Sequence, residues 1–578
     1  MDLQFNYLEN VLNANRGEIA VRLIRACAAV GIKCVSVYTE ADSNSEHASL
    51  ADEGVLLSGD NVKGYLDADN LIEICKAHNV DAVIPGYGFL SEDVNFAQKV
   101  QNNGIIFIGP SCESILEMGQ KHRARAESVG VPVVPGSPLL QTEQEAIEAA
   151  KRIAFLIRLK ATGGGGGMGL QVYNEESDIQ NAFAMVKGRG ESLFGNTGVF
   201  MEKYFPSSRH VEVQVFGNGQ DVVHFGEREC SIQRQHQKII EECPSPYVHQ
   251  QPDLRKRITE CAFLVDDSTG DFFFLEMNTR LQVEHGITEL CYDVDLVALM
   301  LSQADWEKSG ATGIPSEYLR GLQNDEPKGA AIECRIYAEV PHKNFAPSSG
   351  LLQAVTWPQG SGIRVDSWIK AGQNMSPHYD PLLAKVMVHS ESRETAMTKM
   401  LETLATCVLQ GPANNLQYLG AIVASDGCQR ALTNYIRNPF QVGSTFDTVF
   451  PEVVYLAFKE GQQNGFEEQL PIEQKLHSEW AEEVNSKAAS GVELAKALLD
   501  STPGAINIES PLNANVWKIE VKVGDVLRKD QIVCILEAMK MEIAVKVPTE
   551  AVGTKVSALA VSPGSMLAPG EALVIAVC

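Results

Sequence analysis

The chain has 578 residues, too many for one hydrophobic core, and ordinary domain sizes divide it into about three to five folding units. Its 74 acidic residues against 48 basic ones leave a net charge of -26, which repels nucleic acid and anionic membrane surfaces, so any anion must be held by local groups. The 13 cysteines form no C-x-x-C pair, and no apolar run suits a signal peptide or a membrane span. A cytoplasmic protein with free thiols is the expectation.

Residues 18–110 alternate helical and strand patterns. "GEIAVRLIRACAAVG" and "NLIEICKAHNV" read as amphipathic helices; "KCVSVYTE", "DAVIPG" and "GIIFIGP" read as strands. That rhythm predicts βαβ units and a parallel sheet. A proline-punctuated turn, "KHRARAESVGVPVVPGS", opens a new region in which strands such as "HVEVQVFG" and "DFFFLEMN" dominate. From about 330 to 438, strands mix with the helix "RETAMTKMLETLATCVL", after which a Glu-, Gln-, Lys- and Ala-rich stretch reads as exposed helix and linker. The last seventy or so residues hold a near-repeat: Gly524, Leu527 and Val533 recur in kind as Gly564, Leu567 and Leu573. Two such halves predict a small barrel or flattened sandwich, with "EAMKME" at a hairpin tip between them.

A lone exposed lysine is ordinarily a surface residue. Lys540, flanked by Met539 and Met541 on that tip, instead resembles the attachment site of a biotinyl or lipoyl carrier domain, and the two methionines favour biotin. A tethered cofactor carries chemistry that protein groups lack. Upstream, "RLKATGGGGGMGL" (158–170) sets Lys160 before five glycines. Such glycines let backbone N–H groups approach phosphate oxygens, although glycine runs also serve as linkers. The elements that follow, "VFMEKYF", "RHVEVQVFG", "GERECSIQRQHQKIIEECPSP" and "FLEMNTRLQVEH", resemble in order the ATP-grasp fold of biotin carboxylases. "VLNANRGEIAVRLIRA" and "IPGYGFLSED" resemble the preceding domain of those enzymes, and "ECRIYAE" with "YDPLLAKV" their C-terminal domain.

The resemblance to the biotin-dependent carboxylase family implies an α/β and α+β multidomain protein. Its expected parts are a pre-ATP-grasp parallel-sheet domain at 1–118, an ATP-grasp domain at 119–325 and a biotin carboxylase C-terminal domain at 326–440. A linker, or remnant of a carboxyltransferase region, follows at 441–506, and a small all-β biotinyl carrier domain at 507–578. The implied cofactors are biotin on Lys540, ATP, and Mg²⁺ or Mn²⁺; the implied partners are bicarbonate, a biotin protein ligase and a second copy of the chain.

Carried over motif by motif, Lys121, Lys160, Gly164, Gly165 and Gly166 resemble the groups that hold ATP phosphates. Glu202 and Lys203 resemble the adenine-side hinge, and His210 and Gln233 groups near the nucleotide. Period-two alternation puts Glu276, Asn278 and Arg280 on one face of a strand, with Gln282 and Glu284 continuing that direction. Glu276 and Asn278 offer the hard oxygens that suit Mg²⁺. The resemblance makes Glu284 the base for bicarbonate, Lys238 and Arg280 the cations that neutralise carboxyphosphate, and Arg335 the guanidinium that stabilises the biotin enolate.

Met168 and Gly286 depart from the arginine and proline common in acyl-CoA and pyruvate carboxylases and resemble urea carboxylase, including its fusion in urea amidolyase. The tail "FEEQLPIEQKLHSEW" resembles the end of the urea-carboxylating region. In those enzymes the carboxyltransferase lies between the carboxylase and the carrier, where this chain has only about seventy residues. A flexible linker of that length spans about 45 Å, which lets a carrier visit a neighbouring site but does not make a carboxyltransferase.

Other departures predict damage. Relatives carry some fifteen more residues before "FLVDD", and Ala262 stands where they have a second metal-binding glutamate, so an entire sheet element is expected to be missing. Arg158 sits in a strand where an apolar residue is expected, Asn13 interrupts the first strand, Gln235 replaces an arginine, and Asn515 occupies the usual glycine of the carrier's first tight turn. The leading reading is ATP-dependent carboxylation of biotin on Lys540 as the first half-reaction of a urea carboxylase-type enzyme. The alternatives are an impaired biotin-bearing carrier or scaffold, and a carboxylase and carrier subunit that serves an acyl-CoA carboxyltransferase.

Overall fold

The computed structural model describes residues 5–425 and 505–577 apart from short internal stretches, of which 121–129, 162–169, 188–197, 235–236, 259–262 and 539–540 bear on the expectations above. Lys121, the five glycines, Met168, Gln235, Ala262, Lys540 and nearly all of 441–506 therefore lie outside the described residues.

The N-terminal rhythm folds as the βαβ pattern requires. Five parallel strands lie in the order Glu53–Leu56, Lys33–Tyr38, Asn10–Asn13, Ala82–Ile84, Ile106–Phe107. The helix Gly17–Ala29 buries Ile19, Leu23 and Ile24 through its apolar stripe. Asn13 does not break its strand: its Nδ2 donates to Ser36 Oγ at 3.0 Å on the neighbouring strand, which compensates much of its burial.

A three-stranded antiparallel sheet, Leu170–Tyr173, Ile157–Ala161, Val199–Lys203, carries the segment around Lys160. Arg158 lies directly across from Glu202 and pairs with it at 2.9 Å, so its charge is not stranded among apolar neighbours.

The centre of the molecule is one eight-stranded antiparallel sheet. Its order is Phe272–Phe274, Phe263–Asp266, Ser208–Gly217, Val222–Arg234, Gln237–Cys243, Ala330–Tyr337, Leu382–Ser390, Ile363–Ser367. It crosses the expected 325/326 boundary without interruption: Ile240 pairs with Cys334. The position of the segment expected to be missing, before Phe263, lies outside the described residues. Phe263–Asp266 is itself a strand, paired with Ser208–Gly217 on one side and Phe272–Phe274 on the other. The apolar runs "FLV" and "FFF", joined by a polar turn with Gly270 at φ +72°, specify that hairpin locally. Residues 259–262 lie between the helix Pro252–Ile258 and this strand.

The C-terminal unit has a three-stranded sheet (Ile506–Glu509, Ala572–Val577, Lys555–Leu559) and a four-stranded one (Met541–Lys546, Ile532–Ala538, Ala514–Ile519, Met566–Leu567). The near-repeat is structural: Gly524 and Gly564 both turn at positive φ, while Leu527, Leu567, Val533 and Leu573 are all buried. Asn515 is not in a tight turn. It lies within a strand, opposite Glu537 and Met566, where an ordinary side chain fits. The strands on either side of Lys540 pair antiparallel as far as Ala538 opposite Met541.

Candidate active site

Sheet register assembles the charged centre. Val222–Arg234 and Gln237–Cys243 pair with Gln233 opposite Lys238. On the adjacent strand His210 and Glu212 sit two residues apart and so share a face. Gln233 Nε2 lies 3.1 Å from His210 Nδ1, and His210 Nε2 lies 2.9 Å from Glu212 Oε1. The Lys238 ammonium bridges two carboxylates, hydrogen-bonding Glu212 and reaching Glu284 Oε1 at 2.5 Å. Arg335 Nη2 donates to the other Glu284 oxygen at 2.9 Å and lies 2.5 Å from Glu241 Oε1.

Glu284 is only 2% exposed. Burial acts to raise its carboxyl pKa, but Lys238 and then Arg335 outweigh burial and the nearby Glu212, holding it below the ordinary carboxylate value. The same contest holds Glu212 well below that value through Lys238 and His210. Glu241 and Glu333, facing each other across paired strands, go the other way. Burial pushes Glu241 up to about 7 despite Arg335, and burial with Glu241 raises Glu333 further. The site thus holds an ionised carboxylate between two cations.

The alternation predicted for 276–284 holds only in part. Glu276 is exposed and Asn278 and Arg280 half-buried, while Thr279 and Leu281 point inward. Beyond Leu281 the chain turns, and Glu284 stands immediately before the helix His285–Tyr292 instead of continuing a strand. Gln282 and Glu284 are consequently both buried. Arg280 reaches the N-terminal domain, where its Nε lies 2.8 Å from Glu92 Oε2, and its Nη2 donates to Asn278 Oδ1 at 3.0 Å. Lys203 Nζ donates to the carbonyls of Ala154 and Phe155. Only the backbone of Lys160 is described, opposite Leu170 and Phe200.

Glu276 is exposed and two residues from Asn278, so the pair offers hard oxygens of the kind Mg²⁺ takes, with the Asn278 oxygen here accepting from Arg280. A second group, Glu212, Cys230 and Glu284, has ligand atoms all within 4.8 Å of one another. It does not fit a metal, because the Lys238 ammonium already bridges its two carboxylates. Sequence reasoning missed Glu212, although it follows His210 at the strand period. It also missed Arg228, which donates to Thr288 Oγ1 at 2.8 Å and to Gln282, and so ties the sheet to the Glu284 turn.

Four family models cover most of the chain: biotin carboxylase N-terminal domain at 7–115, carbamoyl-phosphate synthase L chain ATP binding domain at 120–308, biotin carboxylase C-terminal domain at 333–437, and biotin-requiring enzyme at 506–575. A putative urea carboxylase of Emericella nidulans is 50% identical over 75% of this chain, and the urea amidolyase of Saccharomyces cerevisiae 42% over 76%. The matches span 36% and 24% of those proteins' own lengths. The biotin carboxylase of Halalkalibacterium halodurans is 40% identical over 75% of this chain and 98% of its own. Among solved structures, the biotin carboxylase domain of Hydrogenobacter thermophilus 2-oxoglutarate carboxylase, in complex with MgADP, ADP and bicarbonate, matches 76% of this chain and 100% of its own at 34% identity and a TM-score of 0.69. Kluyveromyces lactis urea carboxylase matches 73% of this chain and 32% of its own at 34% identity and a TM-score of 0.56. The chain belongs to the biotin carboxylase family of ATP-dependent ligases, with an ATP binding domain and a biotin-requiring domain on the same polypeptide.

Proposed function

We propose that this chain carboxylates a biotin carried on Lys540, using ATP and bicarbonate, with Glu284 as the base. The observation that carries this reading is the Glu284 carboxylate, buried yet kept ionised between Lys238 and Arg335. Biotin, when attached, supplies the ring nitrogen that receives the carboxyl group. Glu284 accepts the bicarbonate proton. The resulting carbonate oxygen attacks the γ-phosphorus of ATP as the bond to the ADP oxygen breaks, giving carboxyphosphate, and Lys238, Arg335 and Arg280 offset the negative charge that gathers there. Carboxyphosphate then splits to phosphate and CO₂, the phosphate taking the ring-nitrogen proton as that nitrogen bonds the CO₂. Lys121, Lys160 and Gly164 to Gly166 hold the phosphates, Glu202, Lys203, His210 and Gln233 border the nucleotide, and Glu276 with Asn278 hold Mg²⁺.

Bicarbonate-dependent ADP release by the full chain with free biotin tests the reading. Glu284→Gln is expected to lower it at least 100-fold; turnover near that of the parent would refute the role of Glu284.

The acceptor we assign is urea. Support comes from the relatives named urea carboxylase and urea amidolyase, and from the resemblance of Met168 and Gly286 to urea carboxylase. We further propose the division 1–118, 119–325, 326–440, 441–506 and 507–578, modification of Lys540 by a biotin protein ligase, and a homodimer through the carboxylase region. Among the described residues no helix is long and apolar enough to cross a membrane. With labelled bicarbonate, the chain alone is expected to label its own biotin and pass no label to urea or acetyl-CoA. Adding the carboxyltransferase part of a urea enzyme should release label to urea, and release to acetyl-CoA with an acyl-CoA carboxyltransferase alone would overturn the assignment.

A further inference from the structure

Lys385 has a fully buried side chain far along the sequence from the charged centre, on the strand Leu382–Ser390. Its ammonium donates to the backbone carbonyl of Val283 at 2.7 Å, the residue immediately before Glu284. Two carboxylates hold the ammonium in turn. Glu18 Oε2, from the helix Gly17–Ala29 of the N-terminal domain, lies at 3.3 Å, and Asp366 Oδ2, from the edge strand Ile363–Ser367, at 3.7 Å. Glu18 also accepts a hydrogen bond from the Tyr87 hydroxyl, and Asp366 is gripped by both ends of the Arg364 guanidinium at 2.9 and 2.8 Å. On the far side of Glu284, His285 Nδ1 donates to the Gln282 carbonyl at 2.7 Å and closes the turn.

Resting on the reading of Glu284 as base, we propose that Lys385 is a positioning residue for it. Clamping the Val283 carbonyl fixes the backbone from which the Glu284 carboxylate reaches Lys238 and Arg335, and Glu18 anchors that clamp in the N-terminal domain. Sub-ångström placement matters at this point because Glu284 must meet Lys238, Arg335 and the bicarbonate proton at once. A lysine suits this position because three donors on one compact charge serve a carbonyl and two carboxylates arriving from different elements. Lys385 touches no reacting atom in this scheme. Its effect passes entirely through the turn.

The test is steady-state kinetics of the full chain, with KM for bicarbonate and for ATP measured separately on Lys385→Met and Glu18→Gln. Lys385→Met removes the clamp; Glu18→Gln keeps the shape of the anchor but removes its charge. The expected result is a bicarbonate KM raised about tenfold in the first and about threefold in the second, with ATP KM within twofold of the parent and a lower kcat. If Lys385→Met does not fold, Glu18→Gln alone decides. Equal loss toward both substrates, or no change in either, overturns the proposal by leaving Lys385 a purely structural ion. Glu284→Gln runs alongside: if it retains turnover, the base assignment fails, whereas its loss together with unchanged bicarbonate KM in the other variants sinks only the positioning role.

Discussion

Lys238 Nζ lies 2.5 Å from Glu284 Oε1 and hydrogen-bonds Glu212 as well, so one ammonium answers two buried carboxylates. Removing one partner of a buried ion pair leaves the others uncompensated at a cost of about 3–5 kcal/mol. Lys238→Met is therefore expected to lose that much stability at pH 7.5 and most of its turnover. Glu212 and Glu284 are held below their ordinary values, so their contribution is complete above the ordinary carboxylate range and is lost as pH falls toward their lower native values. The gap between parent and variant should narrow over that interval. Urea denaturation at stepped pH measures it.

Glu241 titrates in the opposite sense. Its native value, raised to about 7, makes its contribution complete below the ordinary glutamate value and lost as pH rises through about 7. Glu241→Gln mimics the protonated form. It should raise Tm by about 2 °C or more at pH 8 and leave it unchanged near pH 4, by thermal scans at the two pH values.

Arg280 is held by Glu92 across the boundary with the N-terminal domain, in a partly exposed pair. Such pairs contribute about 0–1 kcal/mol, so Glu92→Gln is expected to leave stability nearly intact. Freed from that carboxylate, Arg280 should lose orientation. A roughly tenfold fall in kcat/KM for bicarbonate with an unchanged melting curve is the expected pattern.

Gly286 belongs to the first turn of the helix His285–Tyr292, and a methyl group added there collides with the sulfur of Met387, itself buried. Overpacking of this kind costs about 1–3 kcal/mol. Gly286→Ala should lose stability on that scale, and a second change, Met387→Val, should return part of it. Chemical denaturation of both single variants and of the double variant reads the coupling.

Lys540→Arg should abolish covalent addition of biotin when the chain is made with an active ligase and ample biotin. Intact-mass measurement compares it with the parent. Addition to the arginine variant would move the attachment point elsewhere.

The legible parts of the molecule were those set by local pattern. Alternation marked the parallel strands around Asn10–Asn13, and the turn glycines Gly524 and Gly564 announced the paired halves of the carrier. Resemblance singled out Lys238, Glu284 and Arg335, and the structure brings those three into contact. Sequence could not show that Glu284 leaves the alternation of its neighbours, because the turn after Leu281 is imposed by tertiary contacts: Arg228 on Gln282 and Lys385 on Val283. Nor could it show that Arg158 finds Glu202, since strand register decides that pairing. The apolar runs of Phe263–Asp266 and Phe272–Phe274 made the edge hairpin legible, because those runs and the polar turn between them specify it locally.

The sheet that runs from Phe272 through Cys243 and Tyr337 to Ser367 has a practical corollary for dissecting this chain. A fragment ending near 325 tears Gln237–Cys243 from Ala330–Tyr337 and leaves two raw, hydrogen-bond-hungry borders where one continuous fabric stood. Both pieces would be prone to clump, so any graft between this chain and a relative has to carry the strands through Ser390 as a unit.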